Sequence, residues 1–346
     1  MALTVAAEAK WQEPAGLRPI DPTRDLGAIV DLMAVAFASE MGERGRAALQ
    51  EMRWMSRLSP LVWWWSQTDP AFQDAFSGFV WEEPSPVSSR RQIVGNVSLN
   101  RAPGHRRRWI ICNVVVKDGY RGRGIGRKLT EEAISEAWNR GAEGILLQVY
   151  KDNPQALKHY TDLCFKEVAG QMAQSQEPIE PESVPLPVPY ATGYDHRAWR
   201  PEDGSSAYEQ AGQETPSVLQ RLTPVRRGEY CPGWWKRLEQ RLGNVVTGRR
   251  TYRLVVQRHK ELVAMLTIAA TPQKDASRLR LLVHPDHAGQ VEEAIIDRGL
   301  RWLASTPSKP IVTEVDVRHR HALDVLRRHG FEEQRTLLTL HQGRGV

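Results

Sequence analysis

Cysteine is scarce. The 346 residues hold three, Cys112, Cys164 and Cys231, spaced too widely for a metal knuckle or a disulfide framework. That scarcity suits a reducing compartment, and the expected location is cytoplasmic. Long apolar runs are missing as well: the longest, such as 110–116, fall far short of the ~18 residues that a membrane span needs. The opening residues 1–14 carry neither a basic leader nor a sustained apolar core, so neither a signal peptide nor a membrane partner is expected. Blocks of like charge are also lacking. Lys and Arg total 47 against 41 acidic residues, a net charge of +6, and the arginines are spread through both halves. A pI near 9.3 leaves room for an anionic partner, but without a basic tail or block nucleic acid is not expected as the main one. The phosphates of a small cofactor account for local positive charge equally well. A hydrophobic fraction of 41% with 25% charged residues excludes global disorder.

The length suggests about two domains at ~150 residues each. The sharpest change in composition runs over 170–189, with five prolines among Glu, Gln and Ser. This reads as an extended connector, giving domains 1–170 and 190–346 around a linker 171–189. The flanking stretches look alike in outline. Each opens with a short strand near an Arg-Pro pair (17–20 and 196–201), followed by a helix. Hairpins follow at 76–82 with 92–100, and at 251–257 with 261–270. Then come strands 109–116 and 278–283, helices 124–140 and 290–303, strands 144–150 and 311–317, and short helices 154–163 and 321–328. In 124–140 the apolar Ile125, Leu129, Ala133, Ile134 and Ala137 recur at helical spacing, and Gly141 is a natural stop. A mixed α/β (α+β) layer built twice is the economical fold.

The chemistry concentrates in 114–127, VVVKDGYRGRGIGR. A β-branched strand runs into Arg121, Gly122, Arg123, Gly124, Ile125 and Gly126, and a helix begins there. Alternate glycines permit positive φ and close backbone approach. The freed N–H groups at the helix start then face an anion, aided by the helix dipole. Arg121, Arg123 and Arg127 can add charge-assisted bonds. A Walker A loop would need Lys-Ser/Thr after its last glycine, and a Rossmann fingerprint needs another glycine spacing and an acid after the next strand, where Tyr150 stands.

The remaining match, R-x-x-G-x-G, resembles the loop of the GNAT superfamily of acyl-CoA-dependent N-acetyltransferases. Downstream, 153–160 (NPQALKHY) followed by Cys164-Phe165 is similar to that family's N-x-x-A-x-x-x-Y and G-F, with Cys164 in place of the usual Gly. The resemblance implies that residues 121–127 hold the pyrophosphate of acetyl-CoA and that Asn153 contacts the pantetheine arm. It further implies that Tyr160 protonates the departing thiolate. Backbone N–H groups of Val114, Val115 and Val116 would polarise the thioester carbonyl. The amine attacks directly, so Cys112 need not be a nucleophile. Glu82, Glu83 and Asp118 are candidates for the base. The acceptor stays open among a small amino sugar, another small amine, a peptide N-terminus and a lysine. Homodimerisation is also left open. A non-catalytic acyl-CoA sensor or an interaction protein that keeps the fold is the competing reading.

In the second half, Ala288 stands where Arg121 does and Val291 where Gly124 does, and Glu292 and Glu293 follow at the helix start. A side chain there blocks backbone approach and the acids repel phosphate, so a degenerate module without a cradle is expected. His284, His287, His319 and His321 are permissive for a metal but lack a completing Cys or carboxylate pair, and no metal is expected. Trp63–Trp65 reads as packing or an acceptor wall, and Arg106–Arg108 as a solvated hairpin tip.

Overall fold

In a computed structural model, the chain is described at residues 16–38, 49–54, 76–85, 91–102, 107–178, 188–222, 224–233, 247–271, 276–306 and 309–344, with isolated positions between 234 and 246. It divides into two compact units: Met1–Leu147 with Gly343–Val346, and Gln148–Gln342.

In the first unit, β1 (Gly16–Pro19), β2 (Gly78–Pro84), β3 (Arg91–Arg101), β4 (Arg108–Val116) and β5 (Gly144–Tyr150) lie in that order, antiparallel except for a parallel β4–β5 pair. Helix α1 (Pro22–Ala36) starts where Asp21 accepts the Thr23 N–H at 2.9 Å and Pro22 takes the first position, a position where a missing N–H costs nothing. Its buried stripe Ile29, Val30 and Met33 packs on Val80 and Val115. A short helix at 49–54, α2, follows. Helix α3 (Ile125–Asn139) buries Ile125, Leu129, Ala133 and Ala137. It sits so close to the sheet that a Cβ on Gly95 would lie 2.8 Å from the Leu129 side chain.

In the second unit the strand order is β12 (Glu332–Gly343), β6 (Lys166–Gln176), β11 (Ile311–Asp316), β10 (Ser277–Val283), β9 (Glu261–Ala270), β8 (Arg250–Arg258) and β7 (Tyr194–Ala198). Its helices are α4 (Pro154–Asp162), α5 (Asp203–Glu214), α6 (Ser217–Leu222), α7 (Arg227–Tyr230), α8 (Glu292–Ala304) and α9 (Arg320–Arg328). The core gathers Leu254, Leu266, Ile268, Leu279, Ile295 and Leu300. Helix α8 presses on β9, because a Cβ on Gly299 would meet Leu266 at 2.4 Å.

Two elements differ from the sequence expectation. The stretch 170–176, expected as connector, completes β6, whose residues Gln171–Gln176 pair with β11 on one side and Gln171–Ser175 with β12 on the other. Pairing on both edges, with Gln174 buried and Gln176 donating to the His329 carbonyl at 2.7 Å, overrides the weak strand propensity of Gln and Ser. Strand β12, which alternates buried Thr336, Leu338 and Leu340, lies beyond the last element expected.

One contact recurs in both units. Arg18 of β1 forks Asp25 of α1 with bonds of 2.6 and 2.8 Å and also donates to the Pro19 carbonyl. Arg197 of β7 forks Asp203 of α5 at 2.7 and 2.6 Å and donates to the Ala198 carbonyl. A bidentate guanidinium–carboxylate pair fixes the angle between strand and helix.

Candidate functional site

Strand β4 carries the geometry that opens the site. Its parallel pairing with β5 ends at Ile111 and Leu147. On the other edge, Asn96 faces Val115 and Ser98 faces Cys112, so Asn113 and Val114 share one partner position. Asn113 takes φ +54, and its carbonyl receives the buried Asn96 side-chain amide at 2.9 Å. A bulge of this kind bends a strand and redirects its groups. It lies at the start of Val114–Val116, the stretch whose N–H groups are expected to face the thioester carbonyl.

After β4 the chain turns through Gly119, Gly122 and Gly124, with φ of +83, +77 and +76, values that strain any residue with a Cβ. A Cβ at any of the three would meet no atom within 4 Å. These glycines therefore serve backbone conformation and leave the space over the turn open. Gly124 caps α3 with no side-chain hydrogen bond, and no acidic residue stands in the first turn. The first N–H groups of a helix have no intrahelical acceptor. Here no capping side chain and no first-turn acid competes for them.

The arginines are tethered. Arg121 donates to the Val116 carbonyl at 3.2 Å and pairs with Asp118 at 3.1 Å. Arg123 donates to the Gly119 carbonyl at 2.9 Å and lies over the Tyr120 ring. Arg127 pairs with Glu131 at 2.8 Å. All three are exposed, and the backbone bonds of Arg121 and Arg123 brace the turn. Ile125 is buried in the α3 stripe, and Gly126 lies where a Cβ would touch Val116 at 3.5 Å. The residues present fit a diphosphate.

Beside the turn lies a cleft of about 1110 Å³, lined among others by Leu32, Ala36, Glu82, Val116, Asp118 and Arg121. Glu82 is bound by Arg18, with Arg24 and Arg91 nearby. The bond to Arg18 holds its carboxyl below the usual range against the opposing effect of burial. A carboxylate locked this way is a poor base. Glu83 accepts the Trp81 indole N–H at 2.9 Å. Burial pushes the Cys112 thiol up to about 12, which leaves it inert as a nucleophile.

Asn153 and Tyr160 belong to the second compact unit. Asn153 caps α4, its side-chain oxygen accepting the Ala156 N–H at 3.0 Å. Tyr160 is buried, its ring edge-on to Phe165 at 6.1 Å. Cys164 adopts φ +63, which accounts for the glycine usual at that position of the motif. Among the described residues no group of His, Cys, Asp and Glu is placed to hold a metal, and no helix is long and apolar enough to cross a membrane. Trp63–Trp65 and Arg106 lie outside the described residues. Arg107 is exposed and pairs with Glu143 at 3.3 Å.

Comparison with known proteins agrees with this geometry. The model of the acetyltransferase (GNAT) family matches residues 45–164, which take in the bulge, the cradle, Asn153 and Tyr160. Over these residues the chain is similar to the GNAT family. A mycothiol acetyltransferase of Jonesia denitrificans is 40% identical over 81 residues, which span 23% of this chain and 26% of that relative. A GCN5-related N-acetyltransferase of Sphaerobacter thermophilus aligns over 95% of this chain and 96% of its own, at TM-score 0.59 and 15% identity. A tandem GNAT protein from the clavulanic acid biosynthesis pathway aligns over 96% and 99%, at TM-score 0.54 and 18% identity. At these identities the two structures show a shared fold, and it extends across nearly the whole chain.

Proposed function

We propose that this protein is an N-acetyltransferase that moves an acetyl group from acetyl-CoA to a primary amine of a small molecule or peptide by direct attack. The observation that carries the proposal is the start of α3, with left-handed Gly122 and Gly124, no capping side chain and no acid in the first turn. The GNAT-family match over 45–164 supports it.

When bound, acetyl-CoA supplies the activated acyl carbonyl. In this reading the backbone N–H groups of residues 122–127 hold its diphosphate, with Arg121, Arg123 and Arg127 adding charge. The β4 amides of Val114–Val116, past the bulge, orient the carbonyl and stabilise negative charge on its oxygen. Asn153 orients the pantetheine arm, and the Tyr160 hydroxyl supplies the proton that the leaving thiolate takes. The cleft is the acceptor side. Its apolar Leu32 and Val116 with the exposed carboxylates Asp31 and Asp118 suit a cationic amine. The match to a mycothiol acetyltransferase favours a small-molecule acceptor over a protein.

The test is acetyl-CoA turnover, followed as free thiol, against a panel of amino sugars, polyamines and peptides. At least one amine is expected to be acetylated. Tyr160→Phe keeps the ring that packs on Phe165 and is expected to lower kcat by roughly a hundredfold at little change in KM. Coenzyme binding without turnover for any amine, and no effect of Tyr160→Phe, would instead favour the sensor.

A further inference from the structure

Strands β4 and β10 end in the same way and reach that end differently. Lys117, just past β4, donates its backbone N–H to the Val94 carbonyl, and His284, just past β10, donates to the Val263 carbonyl, each at 2.8 Å. Counting back from these bonds, Gly95 faces Val116 as Ala264 faces Val283, and Asn96 faces Val115 as Met265 faces Leu282. The β9–β10 register then runs unbroken to Arg278, whereas β4 inserts its extra residue at 113 and 114. The N–H of Val283 is moreover taken by the carboxylate of Glu214, the last residue of α5. The bulge is thus found in the unit whose strand end is expected to hold the thioester carbonyl, and the second unit builds the same strand pair without it.

Asn96 is the residue that differs. It is fully buried, and its ladder neighbours Val80 and Val115 both lie in the apolar layer beneath α1. Directly opposed residues share a face of the sheet, so an amide stands where the layer otherwise takes valine. Its N–H holds the Asn113 carbonyl at 2.9 Å, and among the described residues its Oδ1 meets no donor. A buried acceptor without a donor is destabilising, so packing alone does not select asparagine here. Asn113, at φ +54, is of a residue type that tolerates the left-handed region, and its side chain donates to the Ser98 hydroxyl at 3.1 Å. One inserted residue reverses, for the strand beyond it, which backbone groups face β3 and which face the other edge. Fixing the insertion therefore fixes the direction of the 114–116 amides.

We propose that Asn96 is a positioning residue: its amide pins the Asn113 carbonyl, holds the bulge, and so sets which amides of Val114–Val116 face the thioester carbonyl. The role is exerted through the backbone of β4. It deepens the acetyl-CoA-dependent reading given above and rests on it.

The experiment binds acetyl-CoA carrying 13C at its acetyl carbonyl to the full chain without an acceptor, beside kinetics with an acetylated amine and thermal unfolding. In the wild type the bound carbonyl signal is expected to lie downfield of the free one, because hydrogen bonding polarises the carbonyl. In Asn96→Val, which continues the valine layer, it is expected to move back toward the free value. The melting temperature should stay within about 3 °C, since the orphaned oxygen leaves with the lost bond. The kcat is expected to fall about tenfold or more, with KM for acetyl-CoA and coenzyme A affinity within about twofold of the wild type. A folded Asn96→Val chain with unchanged carbonyl signal and kcat overturns the proposal, as does one that loses coenzyme affinity in step with kcat. Should Asn96→Val fail to fold, Asn113→Val, whose β-branched side chain opposes the left-handed backbone, decides by the same split between kcat and KM. A wild type that polarises the carbonyl yet acetylates no amine refutes the transferase reading and leaves the carbonyl signal to test Asn96. A wild type whose bound carbonyl stays at the free value overturns the positioning role whichever amine is acetylated.

Discussion

At the start of α3 no acid stands in the first turn, whereas α8 opens on Glu292, whose carboxylate folds back onto the N–H groups of Gly289 and Val291 that precede the helix. The two turns share a left-handed glycine two residues before the cap, and the two units share an arginine fork between first strand and first helix. What separates them is where the negative charge comes from. A helix start that nothing caps leaves its dipole and N–H groups for a ligand. A turn whose N–H groups bond a carboxylate of its own chain is closed to that use. The position that follows the cap is Ile125 in one turn and Glu292 in the other.

The fork tests whether the scaffold beneath the two turns is equivalent. Asp25 and Asp203 are both buried, so Arg18→Leu or Arg197→Leu strands a carboxylate, at a cost of about 3–5 kcal/mol. Arg18 also holds Glu82, whereas Arg197 donates to the neutral Gln257 side chain at 2.9 Å. Arg18→Leu is therefore expected to be the more damaging in calorimetric unfolding of the full chain. A larger loss for Arg197→Leu would break the comparison.

Converting one turn toward the other comes next in size. Gly124→Val writes the Val291 residue into the cradle. There is space for the side chain, but φ +76 opposes any Cβ, and a β-branched residue most of all. The turn then loses its amide alignment, and coenzyme A affinity is expected to fall roughly a hundredfold, the worth of one to two charge-assisted bonds. Isothermal calorimetry reads it directly. Unchanged affinity would place the diphosphate elsewhere.

Much of this contrast is legible in sequence. The apolar spacing of 125–137 and the alternate glycines 122–126 are local signals, so α3 and the left-handed glycine turn before it are found where the residues predict them. The bulge at Asn113 and Val114 leaves no local mark, because the misalignment arises from pairing with β3. Strand β6 is hidden for the same reason: Gln171, Gln174 and Gln176 become strand residues only when β11 and β12 supply partners. Glu292 is plain as an acid at a helix start, but its inward fold depends on Gly289 and on His319, which is distant in sequence. Glu82 reads as a candidate base until Arg18, Arg24 and Arg91 are seen around it.

The closing carboxylates also differ in their response to pH. Burial pushes Glu214 up to about 7, from 4.5. A raised folded-state value means that the stability it contributes is complete below about 4.5 and is lost as pH rises through about 7. At ~1.4 kcal/mol per unit the loss is on the order of 3 kcal/mol. Glu214→Gln keeps an oxygen for the Val283 N–H and removes the charge. The variant is expected to match the wild type near pH 5 and to exceed it in thermal unfolding near pH 8. His196 and His287, both lowered by burial, titrate with the opposite sign in the same window. The difference between variant and wild type, rather than the wild-type curve, is thus the quantity to measure. A difference flat from pH 5 to 8 would mean that Glu214 is freely solvated.

The smallest contrast concerns the turns that follow α4 and α9. Phe165 N–H bonds the Tyr160 carbonyl and Phe331 N–H bonds the Leu326 carbonyl, each at 3.0 Å, so the two helices end alike. The residue before each phenylalanine is left-handed, Cys164 at φ +63 and Gly330 at φ +86. A Cβ in that conformation costs roughly 1–2 kcal/mol, offset in part by the ~0.5–1 kcal/mol that glycine costs in chain entropy. Cys164→Gly is therefore expected to raise stability by about 0.5–1 kcal/mol. Gly330→Ala should lower it by a similar amount. The nearest atom to a Cβ on Gly330 lies at an ordinary 3.6 Å, so crowding adds nothing to that loss. Opposite signs of similar size in paired denaturation curves would show that backbone conformation alone sets the residue at both helix ends. Equal signs would require a packing role for the Cys164 thiol, which is exposed.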